Sequence, residues 1–109
     1  MTVPNESITM VTRWDGAAAH VQLAGELDMH SSAVLAAEIA ELLEGSPTSI
    51  GIDASGVTFA DSAGLRALLL ARDDAEARKA SLSLTQVSEA LGRMLDMTGL
   101  REALSVPAA

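Results

Sequence analysis

Hydrophobic and polar positions follow two rhythms along this chain. Ile8, Met10, Thr12 and Trp14 alternate with Ser7, Thr9, Val11 and Arg13, a period of two that predicts a strand over 7–14. Asp15-Gly16 follows, a strong signal for a two-residue hairpin turn. Ala19, Val21 and Leu23 then alternate with His20 and Gln22, so 7–14 and 18–24 are expected to form an antiparallel hairpin. Gly25-Glu26-Leu27-Asp28 breaks the alternation, and Ser31 or Ser32 can cap the helix that follows. In that helix Leu35, Ile39, Leu42 and Leu43 recur at helical spacing as an apolar stripe. Glu38, Glu41 and Glu44 fall outside the stripe, toward water, and Gly45-Ser46-Pro47 stops the helix.

The pattern then repeats. Ile50-Gly51-Ile52-Asp53 reads as a short buried strand, and 54–60 as a loop or an extension of it. Asp61 or Ser62 caps a second helix, buried along Leu65, Leu68 and Leu69 and solvated over its second half by Arg72, Asp73, Asp74, Glu76, Arg78 and Lys79. Leu82-Ser83-Leu84-Thr85 alternates again. Val87, Leu91, Met94 and Leu95 give a third helical stripe, ended by Thr98-Gly99, and Leu100, Leu104 and Val106 suggest a short apolar terminal element. The order is β-β-α-β-α-β-α. Strands joined through helices should lie parallel, with right-handed crossovers. The predicted fold is α/β: a mixed sheet with an N-terminal antiparallel hairpin, then parallel strands, and helices packed on it.

Length and composition bound the function. At 109 residues the chain is expected to be one domain, with an ordered core over about 7–106 between a polar tail at 1–6 and a closing Pro107–Ala109. Trp14 and Phe59 are the only aromatics, so the core must be aliphatic. Fifteen acids against seven bases give a net charge of −8, a poor balance for nucleic acid or an anionic membrane surface. There is no cysteine, hence no disulfide, thiolate metal site or thiol chemistry. Neither a signal peptide nor a membrane span is read from the sequence, and a soluble cytoplasmic protein is expected.

Candidate chemistry is sparse. Ala60-Asp61-Ser62-Ala63-Gly64 looks like a loose nucleophile elbow, but the elbow serine needs a histidine after it, and His20 and His30 both precede it. Neither histidine has metal-ligand spacing, no phosphate-binding glycine loop is present, and no cofactor is expected. Ser62 is the residue of interest. It sits between an acid and a helix start, followed by small residues, and its hydroxyl is either the helix cap or an exposed place to add phosphate.

Three segments together resemble the STAS domain in its stand-alone form, the anti-sigma factor antagonist. They are Val21-Gln22-Leu23-Ala24-Gly25-Glu26-Leu27-Asp28, the stretch from Ile52 through Asp61-Ser62-Ala63-Gly64-Leu65, and Leu95-Asp96-Met97-Thr98-Gly99-Leu100. The resemblance implies a non-enzymatic binding protein whose partner is an anti-sigma factor that is also a serine kinase. Binding releases a sigma factor, phosphorylation at Ser62 ends the binding, and a serine phosphatase reverses it. Asp28, Asp61, Ser62, Ala63 and Gly64 are the implied partner-binding residues. Ala63 replaces a second serine common in the family, which leaves Ser62 as the expected sole acceptor. Asp28 is equally expected to fix the turn into the first helix, and Leu65 to be core. The alternative is a STAS adaptor or scaffold subunit, in a stress-signalling complex or as a lipid-transport accessory, whose serine is never phosphorylated.

Overall fold

The computed structural model describes residues 2–3 and 8–106. Five strands and three helices follow in the order β1 (Thr2–Val3), β2 (Ile8–Asp15), β3 (Ala18–Leu27), α1 (Ser32–Glu44), β4 (Ser49–Ala60), α2 (Ser62–Ala77), β5 (Ser81–Val87) and α3 (Glu89–Thr98). The strands form a single sheet in chain order. β1 pairs antiparallel with β2 and β2 with β3, whereas β3–β4 and β4–β5 are parallel. The expected mixed α/β architecture is therefore the observed one.

Several expectations need correction. The tail at 1–6 carries an edge strand, because Thr2 and Val3 pair with Val11 and Met10. Ser7, the expected start of β2, and Pro107–Ala109 lie outside the described residues. β3 does not stop at residue 24. Register shifts between Gln22 and Ala24 and between Gly25 and Glu26 let it absorb the break in alternation and continue to Leu27. Gly25 sits at φ 107°, which only glycine adopts without strain, so the Gly-Glu-Leu-Asp motif bends the strand instead of ending it. Of the two readings left open for 54–60, the extension of the strand is the one observed. Val87 belongs to the end of β5, and α3 starts only after Ser88. Glu38, expected to face water, is half-buried.

The strand alternation builds the core. Ile8, Met10, Val21, Leu23, Ile50, Ile52, Leu82 and Leu84 are buried, while Thr9, Val11, Arg13, His20, Gln22 and Thr85 at alternate positions are exposed, so the helices cover one face. Leu35, Ile39, Leu42 and Leu43 of α1 meet that face with Leu65 and Leu68 of α2 and Leu91 and Leu95 of α3. The core is wholly aliphatic: Trp14 and Phe59 stay outside it, 43% and 49% exposed. Buried Leu104 follows α3, and its carbonyl accepts from the Leu84 amide at 3.0 Å, covering part of the β5 edge.

Candidate functional site

The parallel strands β3 and β4 end side by side. Leu27 pairs with Ala60 and Glu26 with Phe59, so the turn into α1 and the junction into α2 form one pole of the molecule. The Asp61 amide donates to the Leu27 carbonyl at 3.0 Å and ties the two segments together.

At the α2 junction the two candidate caps take different roles. Asp61 is extended, at φ −109° and ψ −176°, and its Oδ1 accepts from the Gly64 amide at 2.9 Å. That is the N-cap arrangement, which satisfies one of the orphan donors of the first turn. Ser62, the first residue of the helix, is exposed, and its hydroxyl makes no hydrogen bond to any described residue. Ala63 is half-buried and Gly64 is buried, with its Cα against the Leu27 backbone. Leu65 is core, as expected.

The turn into α1 is fixed by its own side chains. Asp28 Oδ1 accepts from the amides of His30 and Ser31, both at 2.9 Å. Ser31, which is fully buried, donates from Oγ to the Glu26 carbonyl at 2.7 Å and accepts from the Asp28 amide at 2.9 Å. Ser31 therefore sits at the cap position of α1 without capping it, because its hydroxyl is engaged behind it in the turn. These amide bonds, that from Ser31 foremost, hold the Asp28 carboxyl below its ordinary value against a smaller opposing effect of desolvation, and keep it ionised. Asp28 thus fixes the turn, one of the two roles expected of it.

Exposed apolar side chains lie beside the charged groups of the pole and along α2. Met29 in the turn, Phe59 at the end of β4 and Leu70 on α2 are 69%, 49% and 50% exposed. A groove of about 300 Å³ runs between α1 and α2, lined by Ser32, Ala36, Ala63, Arg66 and Leu70 among others. Small residues on both walls keep it shallow. Of the residues expected to meet a partner, Asp28, Asp61, Ser62 and Ala63 share this pole with part of their surface open, and Gly64 supports it from below. Phe59, Met29 and Arg66 were missed in the sequence: an exposed apolar side chain at a strand end cannot be told from a core one by periodicity alone.

No described group of three His, Cys, Asp or Glu side chains could hold a metal ion. His30 occupies the same turn as Asp28 and donates its backbone amide to it. No described helix is long and apolar enough to cross a membrane.

Comparison with known proteins agrees with the geometry. The family model described as "Mlab, STAS domain" matches residues 10–106. The anti-sigma-B factor antagonist of Bacillus subtilis (strain 168) is 32% identical over 88 residues, 81% of this chain and 80% of that protein. A crystal structure of an anti-sigma factor antagonist from Mycobacterium paratuberculosis superposes with a TM-score of 0.81 at 25% identity, covering 100% of this chain and 92% of that one. The anti-sigma factor antagonist SpoIIAA shares the fold in its unphosphorylated form, with a TM-score of 0.74 at 21% identity over 91% of this chain and 88% of that one. In its phosphorylated form the Bacillus protein gives 0.68 at 22% identity, covering 91% of each chain.

Proposed function

The chain belongs to the STAS domain family, and from that premise we propose that it is an anti-sigma factor antagonist, a regulatory protein and not an enzyme, switched by phosphorylation of Ser62. Its partner is an anti-sigma factor that is also a serine kinase, and binding frees the sigma factor. Phosphate on Ser62 ends the binding, a serine phosphatase restores it, and the cycle runs in the cytoplasm without a cofactor. Asp28, Asp61, Ser62 and Ala63 form the contact surface, with Gly64 beneath them.

One observation carries this reading: Asp61 caps α2, so the Ser62 hydroxyl is exposed and has no structural task among the described residues. Had Ser62 been the cap, its modification would cost the helix a bond worth about 1 kcal/mol. As it stands, phosphate can be added without removing anything. The helix N-terminus favours an anion by roughly 0.3–1 kcal/mol, and Asp61 opposes this. At an interface, by contrast, about −1.5 to −2 added charges meet a desolvated surface, where like charges cost several kcal/mol. A hundredfold loss of affinity corresponds to about 2.8 kcal/mol and needs no refolding.

The test is incubation with the cognate kinase and ATP, read by intact mass. One phosphoryl group should enter the wild-type chain and none the Ser62→Ala variant, which should still bind the anti-sigma factor. Labelling of that variant, for instance on exposed Ser55 or Thr58, would refute the site. A wild-type chain that binds a partner but takes up no phosphate would make it the unphosphorylated adaptor instead.

A further inference from the structure

The chain has seven Lys and Arg residues. Among the described residues, Arg72 pairs with Asp73, Arg93 with Glu89 and Arg101 with Asp96. Arg78 donates to the Leu43 carbonyl at 3.4 Å. Arg13, Arg66 and Lys79 are exposed and no described residue pairs with them, and of these three Arg66 is the one on α2 near Ser62. It follows Ser62 by four positions on α2 and lines the α1–α2 groove with Ala63, Ala67 and Leu70. Residues four apart on a helix lie one above the other, with about 5–6 Å between their Cβ atoms. Helical side chains also lean toward the N-terminus, so a long side chain at position 66 covers the surface over the preceding turn, where Ser62 stands.

We propose that Arg66 is the internal partner of the Ser62 phosphate. Phosphorylation draws its guanidinium into an ion pair across the first turn of α2, and so withdraws the one cation of the groove from the docking surface. The inference rests on the phosphorylation reading and adds a second arm to the switch: the modified surface gains an anion and loses a cation together. The chemistry suits the pair. A phosphoserine presents three acceptor oxygens and close to two negative charges, and the planar guanidinium fork matches them with two parallel N–H donors. Arg66 is the cation of this pole that stands one helical turn from Ser62 on the same helix. Asp61, Glu26 and Asp28 are acids, His30 lies on the turn into α1, and the α1 wall of the groove is Ser32, Ala33 and Ala36.

The experiment uses full-length protein with phosphoserine placed at position 62 by genetic encoding, so that no kinase is required. The second ionisation of the phosphate is followed by ³¹P NMR against pH in the wild type, Arg66→Gln and Arg66→Lys. A nearby cation favours the dianion and lowers this pKa, so Arg66→Gln should raise it by about 0.3 of a pH unit, the scale of one exposed pair four residues apart. Arg66→Lys should restore most of the difference, which a merely structural role would not do. Asp61, Glu26, Asp28 and His30 are common to all three proteins and cancel in the comparison. Without phosphate, Arg66→Gln should bind the anti-sigma factor up to about fivefold more weakly, the upper range of an exposed ion pair. Equal phosphate pKa values in wild type and Arg66→Gln would overturn the pair. Unchanged affinity of the unphosphorylated variant would overturn its withdrawal from the interface. If the pKa difference appears but the kinase never labels Ser62, the pair stands and the functional reading alone fails.

Discussion

Replacing Gly64 by alanine tests how α2 is seated on the sheet. A Cβ at this position would lie 2.4 Å from the Leu27 carbonyl oxygen and 2.7 Å from both Leu27 C and Leu27 Cβ. None of these atoms can yield cheaply. Leu27 is fully buried, pairs with Ala60, and accepts the Asp61 amide on the carbonyl that the new methyl would strike. Relief requires the first turn of α2 to lift from β3. Overpacking of this kind costs about 1–3 kcal/mol, here toward the upper end because the obstacle is backbone. Weakening the Asp61–Leu27 bond adds roughly 1 kcal/mol. The better helix propensity of alanine returns about 1 kcal/mol, leaving a loss of about 2–3 kcal/mol. With 109 residues and an unfolding entropy of about 2.1 cal/mol/K per residue, each kcal/mol is worth about 4 °C, so the melting temperature should fall by roughly 10 °C. Calorimetry or circular dichroism measures this directly. Gly51→Ala is the control, because its Cβ would meet the Thr85 Cγ2 methyl at 3.1 Å, on a side chain that can turn away, and His20 Nδ1 at an ordinary 3.9 Å; its loss should stay under about 1 kcal/mol. A Gly64→Ala protein melting within about 3 °C of wild type would show that the close approach of α2 to Leu27 does not govern this junction.

Ser31→Ala should cost about 2 kcal/mol, seen as a lower urea midpoint at unchanged slope, because it removes a fully buried hydroxyl that bonds both the Asp28 amide and the Glu26 carbonyl, at about 1 kcal/mol each. Asp28 has a folded pKa below its ordinary 3.8, so its contribution to stability is fully present above that value and is lost as pH falls through the lower folded one. Acid unfolding of Asp28→Asn should accordingly be shallower below pH 3.8 than that of wild type, with the remaining slope shared by Asp96, which Arg101 also holds low. Ser62→Asp should bind the anti-sigma factor far more weakly than Ser62→Ala, in isothermal titration at equal fold stability. Amide NMR of the phosphorylated and unmodified chains should show shifts confined to about 58–68 and the 25–28 segment; shifts reaching β5 or α3 would mean an allosteric switch.

Much of the fold was legible because period-two and helical patterns are set by which face each residue buries, and Ile8, Met10, Val21, Leu23, Leu35 and Ile39 declare that face one residue at a time. What was not legible depends on neighbours distant in sequence. Thr2 and Val3 carry no alternation to read, and become a strand only because the β2 edge offers them Val11 and Met10. Residues 25–27 break the pattern, yet stay in the sheet because β4 runs alongside and accepts two register shifts. The motif Asp61-Ser62 showed that one of two residues caps the helix, but local sequence rules treat both as capable. Only the extended backbone at Asp61 and the bond from the Gly64 amide decide it. For Gly64, the resemblance implied a place at the partner surface, and nothing in its local sequence showed that it also packs closely against Leu27.

The division of labour between Asp61 and Ser62 explains how a modification can be large for a partner and small for the fold. Asp61 holds the helix start and the link to β3 through its carboxylate and its amide. Ser31 and Asp28 hold the facing turn through bonds that do not involve Ser62. Every contact that keeps the pole in place is therefore independent of the Ser62 hydroxyl. The helix gains at most about 1 kcal/mol from an added anion, and the adjoining Asp61 carboxylate works against it. Across an interface the same anion loses its water, and the opposing terms no longer cancel. A fold that needed Ser62 for its own cap would convert each cycle of modification into a change of stability. With the cap on the neighbouring aspartate, the proposed phosphate would change what the partner meets and leave the scaffold as it was.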